Sequence, residues 1–251
     1  MFFQNQILKK FDHLEIIHRQ LPSAKFLDET QKIDLISTIK KSLLLTLRET
    51  DPSTYMDETS LRFFELERGI SIAIYGMQAN RQLPLQSYIG YTLFKNGFPA
   101  AYGGSWIFGR AAMFGLNIFE CFRGGESGYI MCQLLRVYKQ VFKIEYFEVE
   151  PYQYGLDNPD GIKSGAFWFY HRYGFRPVNL KLNILANREK AKIKANPQYR
   201  SSSITLLRFT ESNIALHLDG PIPLKYLVVT KKITEMIASE FYGNRSKAIE
   251  Y

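Results

Sequence analysis

Between Ser87 and Gly155 the hydrophobic period of the chain changes twice, and this limits the fold more than any other feature. "SYIGYTLFKNGFPAAYGGSWIFG" (87–109) alternates like two strands joined at Asn96-Gly97, the dipeptide that favours a tight hairpin. "RAAMFGLNIFECF" (110–122) reads as a third strand whose alternation breaks near its middle. There Gly115 marks either a bulge or a close backbone approach. After Arg123, Gly124, Gly125, Glu126, Ser127 and Gly128 the period becomes helical. Ile130, Leu134, Val137 and Val141 share one stripe over about 127–142. "KIEYFEVEPYQYG" (143–155) then returns to strand. A strand, a helix and a strand so closely spaced imply a crossover between parallel neighbours. The strands ending near Phe122 and beginning near Lys143 are therefore expected side by side and parallel.

Helical spacing dominates the first fifty or so residues, with Ile33, Ile36, Ile39, Leu43 and Leu47 recurring in "ETQKIDLISTIKKSLLLTLRET". "DPSTYMDETS" (51–60) interrupts it. Residues 61–82 are ambiguous: "ISIAIYGM" (70–77) suits a strand or a buried helical turn. Beyond 155, Pro159 and Gly161 suggest a loop. "SGAFWFYHRYG" (164–174) suggests a short helix ending at Gly174, and "FRPV" (175–178) the start of another strand. Past Leu180 a Lys- and Ala-rich helix is expected to end near Pro197. "SSSITLLRF" and "SNIALHL" are open between strand and short helix, and 223–243 reads as a closing helix. The fold class is α/β of the α+β kind: a mixed, largely antiparallel sheet flanked by helices. A helical N-terminal extension (1–60), a core (61–180) and a basic C-terminal segment (181–251) packed on it complete the organisation.

Composition bears on partners. From Arg176 to Tyr251, 13 Lys and Arg face 6 Asp and Glu, so +7 of the net +8 lies in this last part. A basic face suits an anionic partner, such as a phosphorylated cofactor, an acidic carrier protein or nucleic acid, or it only aids solubility. The basic residues form no nucleic-acid reading motif. No run approaches the roughly 20 apolar residues of a membrane helix, and "MFFQNQILKK" is too short for a secretory signal. Cys121 and Cys132 offer neither a disulfide framework nor a zinc pattern. A cytoplasmic protein with reduced thiols and no metal is expected.

A strand running through glycines into a helix aims free N–H groups and the helix dipole at one point, where a phosphate can approach. Arg123 can add a forked contact. The order and spacing of 87–180 resemble the core of the GCN5-related N-acetyltransferase superfamily. "FRGGESG" matches the family's pyrophosphate loop at Arg123 and Gly128, and "YHRYGF" its later motif at Tyr170, Gly174 and Phe175. The whole chain is also similar to bacterial proteins that carry no assigned function.

The resemblance implies an acyltransferase that moves an acyl group from acetyl-CoA, another acyl-CoA or an acyl carrier protein to a small-molecule or peptide amine. It implies donor binding by Arg123, Gly124, Gly125, Ser127 and Gly128. The backbone N–H groups of Asn117 and Ile118 would meet the acyl carbonyl, and Tyr170 would protonate the leaving thiolate. Glu150 is the preferred base among Glu120, Glu148 and Glu150. His171 is expected on an exposed helix face.

The sequence departs from the family in two places. Glu126 replaces the central loop glycine, so it must point away from a phosphate, pair with a basic group, or occupy the phosphate's place itself. "YGLDNPDGIKSG" (154–165) lengthens the path to the next helix, leaving Asn158 far from Tyr170 and Ser164 nearer. The alternative function is a non-catalytic binding module of the same fold, contacting nucleic acid through the basic C-terminal part.

Overall fold

The computed structural model describes Leu8 and residues 10–251; the first part of the expected N-terminal helical region lies outside these residues. Helices α1 (His13–His18), α2 (Glu29–Leu45) and α3 (Asp51–Thr54) come first. The Asp12 carboxylate accepts the N–H groups of Leu14 and Glu15 at the start of α1, and Asp28 and Gln31 form a capping box on α2. The ambiguous residues 61–82 are mostly strand. β1 (Met56–Glu65), β2 (Ile70–Met77), β3 (Ser87–Lys95) and β4 (Phe98–Phe108) form an antiparallel meander. Asn96 and Gly97 both have positive φ, 51° and 83°, as the expected hairpin requires.

The third expected strand appears as β5 (Ala111–Phe114) and β6 (Asn117–Ile118). Both pair with β4 in one continuous register, Ser105↔Phe114 and then Tyr102↔Asn117. The interruption is therefore a close approach of backbones and not a bulge. Gly115 N–H donates to Gly104 O at 3.0 Å. A Cβ on Gly103 would stand 2.7 Å from Gly115 O.

Helix α4 (Ser127–Phe142) crosses over to β7 (Tyr146–Val149). β5 and β7 are parallel, pairing Ala111↔Tyr146 through Met113↔Glu148, as expected for the strands on either side of the helix, although the parallel partner is β5 and not the segment that runs on to Phe122. The fourth strand is shorter than expected: Pro151 opens a 3-10 turn through Tyr154, and Gly155 leaves it with φ 142°. The expected loop around Pro159 holds a helix, α5 (Pro159–Ser164), because Pro159 suits a first turn and Asn158 caps it by accepting Gly161 N–H. Then follow α6 (Ala166–Arg172), β8 (Arg176–Pro177), α7 (Leu180–Ala195), α8 (Ser203–Phe209) and β9 (Ile214–His217), with α9 (Tyr226–Glu240) and α10 (Arg245–Glu250) last.

The strand order β1-β2-β3-β4-β5-β7-β9-β8, with β6 also on β4, makes a mixed and mostly antiparallel sheet. β9 lies between β7 and β8, antiparallel to both. The sheet thus draws strand residues from both sides of the expected boundaries at 60 and 180. One face packs on α1, α4, α6, α7 and α8 through Ile17, Tyr91, Phe114, Leu134, Phe147, Phe167 and Phe209. The other packs on α2 through Ile39, Leu43, Tyr75 and Tyr102.

Candidate functional site

The site begins where β5 and β7 part. Their ladder ends at Met113↔Glu148, and the chain beyond β7 turns away at Pro151. β6 remains on β4, and alternation decides which of its N–H groups face the opening. Gly115 N–H and Phe119 N–H donate to Gly104 O and Ala100 O, both at 3.0 Å. In an antiparallel ladder every second residue is bonded this way. Asn117 therefore turns its N–H to β4, while Leu116 and Ile118 turn theirs to the opening. This corrects the expectation for Asn117: parity commits its N–H to the sheet.

Leu116 N–H donates to Gln153 Oε1 at 3.2 Å, and the Tyr170 hydroxyl donates to the same oxygen at 3.3 Å. Gln153 belongs to the 3-10 turn after β7, so both sides of the opening meet at one carboxamide. Tyr170 is 3 % exposed. Burial holds its pKa well above that of an ordinary phenol, so it carries a proton across the physiological range. α6 sets its direction, with the ring edge-on to Phe169 and Phe175.

The glycine loop lies at the start of α4. Gly124 has φ 112°, a conformation that favours glycine. Gly124 N–H donates to Ser127 Oγ at 3.2 Å, and that hydroxyl donates back to Gly124 O at 3.0 Å. Arg123, Gly124 and Gly125 are exposed, and Arg123 Nε donates to Ile118 O at 3.1 Å. No side chain of the described residues caps α4, which leaves its first turn facing the loop. Gly128 has a different reason to be glycine. It is buried, and a Cβ there would stand 1.8 Å from the Tyr173 hydroxyl. The close approach that Gly128 serves is therefore Tyr173 packing.

Glu126 does not face the exposed glycines. Its Oε1 accepts Arg68 Nη2 at 2.7 Å, Arg68 Nε at 3.1 Å and Leu8 N–H at 3.4 Å, and its Oε2 accepts Lys95 Nζ at 3.1 Å. The side chain is only 12 % exposed. Burial alone would raise its pKa, but the Arg68 and Lys95 contacts outweigh this and hold it below the usual carboxylate range. Arg68 lies in the turn between β1 and β2 with φ 61°, and Lys95 Nζ donates to its carbonyl at 2.6 Å. Of the options open from sequence, Glu126 takes pairing with basic groups.

The carboxylates separate. Glu148 Oε1 accepts Asn213 Nδ2 at 2.7 Å and lies 3.5 Å from Lys225 Nζ, so it is already engaged. Glu150 is exposed. Burial, then Asp51 and last Glu150, push the Tyr88 hydroxyl up to about 12. Tyr88 packs edge-on to Trp106 at 4.7 Å and lies over Gly104, where a Cβ would stand 2.3 Å from its ring. Strand alternation puts Tyr88 on the face opposite Ile89 and Tyr91, whereas Tyr170 belongs to the α4-side core. Glu150 follows Glu148 by two residues and so shares its face of the strand, away from the core side to which Tyr170 belongs.

His171 is not exposed. It is 4 % accessible, packed between Trp168 and Phe167, and burial pushes its pKa down to about 4. α6 is covered on two sides because α8 brings Phe209 onto Phe167 at 3.9 Å. Asn158 serves α5, and Ser164 Oγ donates to Gly161 O at 3.3 Å. Cys121 is exposed and Cys132 buried, both as free thiols. Among the described residues no group of His, Cys, Asp and Glu could hold a metal ion, and no helix is long and apolar enough to cross a membrane.

Sequence reasoning missed Leu116, Gln153, Arg68, Lys95 and Tyr88. Leu116 was accessible from strand parity, had the partner edge been known. Gln153 and the two basic residues come from distant elements, and nothing local marks them.

Comparison with known proteins gives little. No family model and no curated protein matches the chain. Among solved structures, it is similar to a GNAT family acetyltransferase from Elizabethkingia anophelis with acetyl-CoA bound. The two are 13 % identical with a TM-score of 0.33, over 59 % of this chain and 98 % of that one.

Proposed function

We propose that the protein is an acyltransferase that moves an acyl group from a CoA or carrier-protein thioester to an amine. The observation that carries the reading is the opening beyond Met113 and Glu148. Backbone N–H groups of Leu116 and Ile118 line one side, and a buried phenol reaches it from the other. The exposed, uncapped start of α4 stands at the end of the adjoining strand. The loop is exposed at Arg123, Gly124 and Gly125, the Gly125 N–H is the donor it offers a phosphate while Gly124 and Ser127 bond to each other, and Arg123 offers charge.

The residues divide the work as follows. The Leu116 N–H donates to the carbonyl oxygen as negative charge develops on it, and the Ile118 N–H, two residues along the same strand edge, is placed for a polar group further along the donor. The amine nitrogen bonds to the carbonyl carbon and the carbon–sulfur bond breaks. Tyr170 gives its proton to the departing sulfur. Glu150, on the opposite face, accepts the proton lost by the amine, directly or through water. Tyr88 and Trp106 provide the aromatic wall beside it. The basic C-terminal part suits an acidic carrier protein as well as free CoA.

Thermal stabilisation tests this reading. Acetyl-CoA should raise the melting temperature in a saturable way, and an amine panel should then identify turnover. Stabilisation by RNA or DNA alone, with steep salt dependence, would favour the binding-module alternative.

A further inference from the structure

Gln153 carries an inference that rests on the acyl-transfer reading. Its carboxamide stands in the opening between β6 and the turn after β7. A backbone N–H can only donate, so the atom facing Leu116 is the oxygen, and the orientation of the amide follows. The Tyr170 hydroxyl at 3.3 Å meets the same oxygen and must donate to it. The nitrogen lies on the side of Gly115, 3.7 Å from where a Cβ on that residue would stand. The free protein therefore presents an uncharged, planar carbonyl of its own to one strand-edge N–H and to the buried phenol.

We propose that Gln153 is a positioning residue and the internal occupant of the acyl site. In the free protein its oxygen holds the Leu116 N–H and the Tyr170 hydroxyl in place. When a donor binds, the thioester carbonyl takes the Leu116 N–H, and the Gln153 oxygen gives up that donor while it still accepts the Tyr170 hydroxyl. A carboxamide and a thioester each present a neutral planar carbonyl, so the exchange keeps the N–H paired. Without Gln153 both donors would be left without a protein partner at the heart of the opening, a costly state for buried polar groups.

Two substitutions move donor affinity in opposite directions. Gln153→Ala removes the competitor, and acetyl-CoA should bind about three- to tenfold more tightly. Its kcat should fall, because Tyr170 loses the acceptor that orients it. Gln153→Glu gives the same two donors a charged acceptor, and acetyl-CoA should bind more weakly by a similar factor. A residue that only packs would weaken binding in both variants.

The experiment is calorimetric titration of acetyl-CoA into the parent and both variants, with hydrogen exchange at the Leu116 amide. The expected order of affinity is Gln153→Ala, parent, Gln153→Glu, and Leu116 should exchange faster in free Gln153→Ala and slow again with acetyl-CoA. Equal or uniformly weaker binding, or a Leu116 amide indifferent to Gln153→Ala, would overturn this assignment alone. Acetyl-CoA binding to none of the three would overturn the acyl-transfer reading and this assignment with it.

Discussion

At the scale of the residue, Tyr170 and Glu126 show two uses of burial. Tyr170 is a neutral phenol whose pKa burial raises, which keeps its proton in place at physiological pH while making it a weaker acid than an ordinary phenol. Tyr170→Phe should lower kcat by roughly 10²-fold, the usual scale of general acid catalysis, and leave acetyl-CoA affinity nearly unchanged. Equal turnover in the two proteins would remove Tyr170 from the chemistry. Glu126 is a buried charge matched by Arg68 and Lys95. Its folded pKa is depressed, so its stabilisation is fully present above the unfolded value near 4.3 and is lost as pH falls through the lower folded value. Glu126→Gln should cost about 2 kcal/mol at neutral pH, because two half-buried cations lose their counter-charge. Denaturant titrations from pH 7 down to 3 should show the gap closing as the medium acidifies; a constant gap would contradict the ion-pair account. The carboxylate's awkward place in a glycine loop was visible in the sequence. Its partners were not, because Arg68 and Lys95 lie 58 and 31 positions away.

At the scale of the element, the strand–helix–strand order was legible, although the first strand divides into β5 and β6 and β7 ends at Val149. The hydrophobic period changes at the glycine loop, and α4 occupies Ser127–Phe142. The hairpin at Asn96-Gly97 was legible for a similar local reason. The packing reason for glycine at 128 was not legible, because a glycine at a helix start suits a phosphate and a neighbouring ring equally well, and only the structure shows Tyr173 where a side chain would stand. Gly128→Ala should therefore destabilise the fold by about 1–3 kcal/mol through overpacking, despite the better helix propensity of alanine. Tyr173→Leu in the same chain should recover part of that loss by chemical denaturation. A stabilised Gly128→Ala single variant would show that Tyr173 yields freely. α5 escaped notice because Pro and Gly signal loops, although Asn158 and Pro159 also make a sound helix start.

At the scale of the whole molecule, the C-terminal third is less uniform than its charge suggested. β9 lies inside the sheet between β7 and the edge strand β8, with Ile214 and Leu216 buried, whereas α9 and α10 bury no residue. Four residues with short alternation carry too little period to be told from a helical turn, so β9 stayed open until its neighbours β7 and β8 were seen. Ending the chain after Gly220 should leave the melting temperature within a few degrees of the parent. Ending it after Asn213 should abolish cooperative unfolding, since β7 and β8 lose the strand between them. Similar melting of both truncations would contradict the sheet order.

The central claim is that a thioester donor occupies the opening between β6 and β7, with its phosphates on the glycine loop. Titration with acetyl-CoA, followed through the backbone amide resonances, tests it most directly. The account predicts saturable shifts at Ile118, Gly124, Gly125 and Ser127. Amides there that stay still at millimolar acetyl-CoA, or shifts confined to α9 and α10, would contradict it.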